Sequence, residues 1–354
     1  MLKPRRREVF AGVALLLAAL GACATADRPA LGVALSGSSV DAARMAILDA
    51  AADGTLPPLD TLIRYESGGE ASLAIRLARD LVAAPGLVAV VGHSNSASSL
   101  AAAQVYNEAH VLQLAPTSTA VLYSRAGAYS FRMVPPDDQQ GKFLAETVSL
   151  RFPEGARVAL FYVNDDYGRG LRASVLDALN EDSYPLLLDV PHVETDVRLG
   201  VIEQAAREAS HVRPDVVLWL SRSQLLSAYL PVLRAALGNT PIIAGDAVST
   251  WPQHIYADDR WAGVQHVDFV DLDANDTLRA FSRRFEAKYG TRMSGADVLT
   301  YDAVRVLLAG IGSGATTGEQ LREYLGSLGR ARPAFNGLSG PIAFTDRGDV
   351  VRKH

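Results

Sequence analysis

Leu87–Thr119 reads LVAVVGHSNSASSLAAAQVYNEAHVLQLAPTST. Leu87 to Val91 is apolar without interruption, the pattern of a strand covered on both faces in a parallel sheet. Gly92 breaks the run, and His93 to Ser99 supplies small polar groups where a helix would begin. A second apolar run, Val111 to Ala115, stops at Pro116 and is followed by Thr117, Ser118 and Thr119. Two strand ends would then present hydroxyls and backbone N–H groups to one crevice. Crevices at the carboxyl ends of parallel strands are where open α/β sheets hold ligands.

The same alternation extends in both directions. Upstream, the patterns predict a strand over 31–36, a helix over 40–52, a strand over 59–65 and a helix over 70–84 with Leu73, Leu77 and Leu81 on one stripe. Downstream, a strand over 129–134 meets Pro135-Pro136, and Asp137 or Asp138 is placed to cap a helix reaching about Phe152. Strands over 158–163, 186–190, 216–220, 242–244 and 263–269 then alternate with helices, including 196–209 and 224–237. Helices over 275–289, 294–311 and 318–325 and a last strand over 341–344 complete the chain. Such alternation implies parallel sheets with helices on both faces, and more strands are present than one short doubly wound sheet needs. The expected fold class is α/β, with two doubly wound lobes. No internal repeat of 20–50 residues is visible.

Composition narrows the function classes. The chain has 354 residues, 49% hydrophobic and 21% charged, enough to bury one large or two moderate cores. A net charge of −5 provides no basic footprint for nucleic acid. Lys3, Arg5, Arg6 and Arg7 precede an apolar run from Val9 to Leu20, too short for a bilayer span of about 20 residues. Residues 1–22 therefore read as a signal peptide. Leu20-Gly21-Ala22-Cys23 resembles a bacterial lipobox, whose cysteine is lipidated and becomes the mature N-terminus; residues 23–30 would be the tether to the membrane. An ordinary secretory signal with an incidental cysteine is the alternative. Arg6-Arg7 with Phe10 also loosely fits a twin-arginine signal. Cys23 is the only cysteine, so an exported core would have no disulfide.

Hydroxyls at the start of the helix after Gly92, with the N–H groups and dipole there, suit a carboxylate or phosphate. Simple capping by Ser94 or Ser96 is the structural alternative. Asp246 follows a strand in Gly245-Asp246-Ala247, where it would pair with a ligand ammonium or stand in a surface turn. Tyr167, between a strand and its helix, would close a pocket or pack under a loop. Gly92-His93-Ser94-Asn95-Ser96 approaches the nucleophile elbow G-x-S-x-G, and Asp246 with His254 or His266 follows in hydrolase order. Against that reading, Ser96 replaces the final glycine, no HGGG-like stretch precedes, and residues 158–244 have no role in it. The 7 histidines are scattered without HExxH, so no metal is expected. Neither GxGxxG nor GxxxxGK[ST] occurs, so no nucleotide cofactor is expected.

Several of these turns together resemble the type I periplasmic solute-binding proteins, in the leucine/isoleucine/valine-binding branch that serves ABC importers. The matching segments are Gly92–Ser96, Val105–Ala109, Leu114–Thr119, Phe131-Arg132, Asp137–Gly141, Asp165–Leu171 and Gly340–Asp349. The resemblance implies two lobes around a ligand cleft, crossed near 134–138, 267–271 and 337–341. Residues 31–135 with 270–338 would form lobe 1, and 136–269 with 339–354 lobe 2. It implies that Ser96, Thr117 and Thr119, with Ser94 adjacent, hold a ligand α-carboxylate. Asp246 would take the ammonium, with Tyr167 beside it. No catalysis is implied; the partners are a small amino-acid-like solute and an ABC permease, at a lipid-anchored position in the cell envelope. A receptor or regulator of the same fold, without transport, is the alternative.

The departures from the family pattern carry expectations too. The first loop, Gly37-Ser38-Ser39, is short and brings no aromatic residue over the ligand. Ser221-Arg222-Ser223 stands where many members carry glycine and tyrosine. Arg222 would pair with a second ligand anion, favouring an acidic or larger solute, or else face solvent. The family's usual disulfide is absent, and the sequence reaches His354 before a closing strand often present in lobe 2. If Cys23 carries the lipid, Cys23→Ala moves the protein from the membrane to the soluble fraction; membrane association unchanged in that variant refutes the anchor.

Overall fold

A computed structural model describes residues 28–66, 69–193, 199–249 and 259–351. The signal peptide, Cys23 and His254 lie outside the described residues. The first sheet contains β1 (Ala30–Leu35), β2 (Asp60–Tyr65), β3 (Leu87–Gly92), β4 (Leu112–Ala115) and β5 (Ser130–Arg132). Its order is β2-β1-β3-β4-β5, parallel throughout. Its first helices are α1 (Gly37–Ala52), α2 (Ala71–Val82) and α3 (Ser96–Glu108). The second sheet contains β6 (Val158–Val163), β7 (Leu186–His192), β8 (Val216–Leu220), β9 (Ile242–Ala244) and β10 (Val264–His266). Its order is β10-β9-β8-β6-β7, also parallel. Numbered within its own lobe, each sheet runs 2-1-3-4-5, so the lobes share one topology that no short sequence repeat reveals.

Helices cover both faces of each sheet, which is why the central strands are apolar end to end. In lobe 2, α4 (Asp137–Arg151) and α5 (Asp166–Ala178) cover one face, and α6 (Leu199–Val212) and α7 (Ser223–Leu237) the other. Trp219 of β8, Phe161 of β6 and Tyr229 of α7 pack together, with ring centroids 5.3 Å apart for Trp219–Tyr229 and 5.8 Å for Phe161–Trp219. In lobe 1, α8 (Asp276–Tyr289), α9 (Gly295–Gly312) and α10 (Gly318–Ser327) join α1 against the sheet. On α2 the buried face is Ala74, Ala78 and Leu81, flanked by the half-buried Leu73 and Leu77. The α4 cap differs from expectation: Pro136 is the N-cap, and Asp137 is buried in the first turn. No described helix is long and apolar enough to cross a membrane.

The chain passes between lobes after Met133 and Val134, which lie in the lobe 1 core, and before Leu144 in the lobe 2 core. It returns between Val267, against the lobe 2 core, and Val270, in the lobe 1 core. The expected strand over 263–269 therefore shortens to β10, because 267–269 leave the sheet to make this crossing. The expected third passage is a correction. The hairpin β11 (Phe335–Gly337)–β12 (Gly340–Ile342) reverses the chain, and Ile342, Phe344 and Val350 enter the lobe 1 core. Phe344 meets Phe131 edge-on at 5.4 Å. Residues 340–350 thus pack with lobe 1, where their apolar side chains find the nearest buried surface.

The tail is held by a buried cation. Arg132 has no solvent exposure, and its guanidinium donates to Asp349 Oδ1 at 2.6 Å and to the carbonyls of Ser118, Thr119 and Ala120 at 3.3, 3.0 and 2.9 Å. Removing one partner of a buried pair leaves an uncompensated charge. Asp349→Ala is expected to lower unfolding free energy by about 3 kcal/mol in urea titration; a loss near zero would show that the carbonyls alone hold Arg132.

Candidate functional site

In a 2-1-3-4-5 sheet, the ligand crevice lies where the strand order reverses, between the first and third strands. In lobe 1 that is the gap between the ends of β1 and β3. There Ser36 Oγ and Ser94 Oγ stand 3.3 Å apart. Gly92 permits this close turn: a Cβ on it would lie 2.5 Å from the Ala34 carbonyl oxygen, and its φ is +155°. In lobe 2 the corresponding gap lies between β6 and β8, and an ion pair spans it: Arg222 Nη2 donates to Asp165 Oδ2 at 2.7 Å. The two gaps face one cleft of about 400 Å³, lined from both lobes. That volume is in the range of small-molecule sites.

On the lobe 1 wall, Ser94, Ser96 and Thr117 line the cleft. The cap of α3 is neither serine but Asn95, whose side chain accepts the Ser98 N–H at 2.9 Å. Ser96 Oγ accepts the Ala120 N–H at 3.1 Å, which leaves its own hydroxyl proton to donate. Thr117 Oγ1 makes only a long bond to the Ser94 carbonyl, 3.4 Å. Thr119 is a correction: it is buried behind the wall, next to Asp137, and does not line the cleft. Its carbonyl accepts the Asp137 N–H at 2.8 Å, so it braces the first crossing instead.

Behind this wall lies a buried group that the sequence patterns did not single out. Glu66 Oε2 accepts the Ser94 N–H at 2.8 Å and stands 3.4 Å from His93 Nδ1. His93 Nε2 is 3.1 Å from the Tyr106 hydroxyl. Burial alone would raise the Glu66 carboxyl; the hydrogen bond and charge of His93, with Ser98 and the Ser94 N–H, outweigh it and hold the carboxyl low. These contacts also bear on the nucleophile elbow. The Ser94 hydroxyl meets Ser36, the neighbouring imidazole is turned to Glu66 and Tyr106, and no described histidine hydrogen-bonds Ser94.

The lobe 2 wall carries acceptors. Asp246 Oδ1 accepts from Gln140 Nε2 at 2.9 Å and from the Tyr167 hydroxyl at 3.0 Å. Gln140 Oε1 in turn accepts the Asp246 N–H at 3.0 Å. Asp246, Tyr167 and Arg222 all line the cleft. Asp268, at the second crossing, lines it too. Burial raises the Asp246 carboxyl, against the pull of Gln140 and Tyr167. Asp268 keeps solvent contact through the cleft, yet desolvation by the walls, with the Asp246 charge added, raises it to about 7. Asp137, wholly buried, is pushed well above the usual carboxylate range by burial and then by the Asp246 charge. Among the described residues no group of His, Cys, Asp and Glu is arranged to hold a metal.

The short first loop is tied to the start of α9. Ser38 and Ser39 hydroxyls each donate to Asp297 Oδ1 at 3.0 Å, and the Ser294 N–H and hydroxyl each donate to Asp297 Oδ2 at 2.8 Å. The start of α1 and the start of α9 thereby form one side of the cleft, and α3 begins on the same wall. The starts of α1 and α3 favour a negative ligand group there, while the start of α9 already faces the Asp297 and Asp268 carboxylates. Donors on one wall and carboxylates on the other suit a small dipolar solute.

The raised acids predict a pH effect with a definite sign. An acid whose folded pKa lies above its unfolded value binds more protons when folded, so its stabilising contribution is lost as pH rises through the folded pKa. Asp137→Asn keeps the shape without the charge. Its melting temperature should exceed that of wild type at pH 8, with the gap closing toward pH 5. His192, lowered to about 4 by burial, and His266, also lowered by burial, act in the opposite direction but are common to both proteins. A variant no more stable than wild type at pH 8 contradicts this account.

Residues 8–352 match the family model described as periplasmic binding protein. An amino acid binding protein of Pseudomonas aeruginosa is 32% identical over 121 residues, covering 34% of this chain and 32% of that one. The Leu/Ile/Val-binding protein homolog 1 of Brucella abortus is 29% identical over 192 residues, covering 50% of each. The matched stretch thus spans about a third to a half of the length of these curated relatives. Among solved structures, a leucine binding protein from Thermotoga maritima superposes with a TM-score of 0.78 at 21% identity, covering 92% of this chain and 93% of that one. The twin 2-1-3-4-5 sheets around one cleft are the type I periplasmic binding protein fold, and the chain belongs to the periplasmic binding protein family.

Proposed function

We propose that the protein captures a small amino-acid-like solute in this cleft, outside the cytoplasm, and delivers it unchanged to an ABC permease while anchored to the membrane through lipidated Cys23. The observation that carries the reading is the opposition of the two walls. Ser94, Ser96 and Thr117, beside the start of α3, face Asp246 and Tyr167 across one cleft. The ligand carboxylate takes hydroxyl donors and the positive end of α3. Its ammonium takes Asp246, whose burial cost an opposite charge relieves. The relatives' names, amino acid binding and Leu/Ile/Val-binding, support the same solute class.

The crossings at 134–137 and 267–270 are the natural hinge for lobe closure over the solute. Arg222 plays a different part from the one its position suggested. Its pairing with Asp165 meets its charge, so it braces the lobe 2 crevice and weakens the case for a second ligand anion. No step in this function forms or breaks a covalent bond, and Ser94 serves as a donor.

Calorimetry against a panel of amino acids tests the site. Ser96→Ala and Asp246→Asn should each weaken the bound amino acid by about 10- to 100-fold, the value of a hydrogen bond to a charged group. An amino acid held as tightly by both variants as by wild type places the site elsewhere.

A further inference from the structure

The cleft holds one more carboxylate than a neutral amino acid requires. Asp246 and Asp268 both line it, and the Asp246 charge acts on Asp268. Asp268 Oδ1 accepts the Val270 N–H at 3.1 Å, and no described lysine, arginine or histidine forms an ion pair with it. The one basic side chain among the described lining residues, Arg222, is held by Asp165 at 2.7 Å. Next to Asp268, the aromatic residue Phe269, packed against the lobe 1 core, also lines the cleft. Across from it stands Gly295, on whose Cα a Cβ would lie 2.7 Å from Asp268 Oδ1. A residue with any side chain there would fill the approach to the carboxylate.

We infer that the solute carries a second cationic group, an amino or guanidino group on a short apolar stem, and that Asp268 receives it while Asp246 holds the α-ammonium. This inference rests on the reading of the cleft as an amino-acid site and specifies its substrate class. A carboxylate beside an aromatic residue in a partly desolvated cleft favours a cation over water, since charge pairing strengthens as water is excluded. Desolvation already raises the Asp268 carboxyl, and a cation in contact would return it to the ionised form. A branched aliphatic side chain in the same place would cut that carboxylate off from water with backbone N–H groups but no cation to meet its charge, an arrangement that costs binding energy. An acidic side chain would add like-charge repulsion from both aspartates.

The test is calorimetry on the full mature chain with L-arginine, L-lysine, L-leucine and L-glutamate. Wild type should hold arginine or lysine at least about tenfold more tightly than leucine or glutamate. Asp268→Asn should lose about tenfold or more for the basic amino acid while leaving leucine within about threefold. Gly295→Ala, which crowds the carboxylate but keeps its charge, should weaken the same basic ligand, and melting curves report that both variants remain folded. Wild type that prefers leucine or glutamate overturns the inference, as does an Asp268→Asn protein that loses basic and neutral ligands equally. Those results leave the amino-acid reading of the cleft standing. Failure to bind any amino acid of the four and of the wider panel overturns both.

Discussion

The guanidinium of Arg132 is the contact on which the lobe 1 wall depends. A wholly buried cation must be paired and hydrogen-bonded or its desolvation is uncompensated. Arg132 meets that requirement by collecting the carbonyls of Ser118, Thr119 and Ala120, the Ser124 hydroxyl and the Asp349 carboxylate. The turn it gathers is the one that presents Thr117 to the cleft and supplies the Ala120 N–H that orients Ser96. The same side chain draws in the C-terminal tail and sits two residues before the first crossing. Wall, tail and hinge are thereby set by one charge.

The lobes place different chemistry on one topology. At the reversal point of the first sheet, two serine hydroxyls meet; at that of the second, an arginine and an aspartate close the gap. The first arrangement presents donors to a ligand, and the second stiffens the frame around Asp246 and Tyr167. Gln140 links that frame to the hinge: it bonds Asp246 and stands on the helix that begins at Asp137, immediately after the first crossing. The buried acids Asp137 and Asp246, with Asp268 open to the cleft, carry an electrostatic cost. In the proposed function, a ligand ammonium at Asp246 offsets part of that cost.

Much of the fold was legible in the chain because hydrophobic period is a local property. The alternation of apolar runs and 3.6-period stripes located the helices and both parallel sheets, and Ser94, Ser96, Thr117, Tyr167, Arg222 and Asp246 all reach the cleft. Thr119 shares the composition of its neighbours, and only its place behind the turn separates it from Thr117. The tail at 340–350, expected in lobe 2 from the resemblance, packs with lobe 1 because the hairpin reverses the chain. Glu66 and Asp297 went unnoticed, and His93 and Gln140 stood in matching turns with no partner assigned, because the partners are remote. Gln140 and Asp246 are 106 residues apart, and Ser38 and Asp297 are 259 apart.

By itself, then, the sequence determined an α/β chain of two doubly wound lobes and a set of polar turns at strand ends, since strand and helix patterns follow from which side of each element must meet the core. Tertiary structure alone decided which of those turns share one cleft, that Arg222 is spent on Asp165, and that Asp268 faces the cleft beside Asp246. The reason is physical: pairing and desolvation depend on distances between segments far apart in the chain, and no local pattern encodes a distance of that kind.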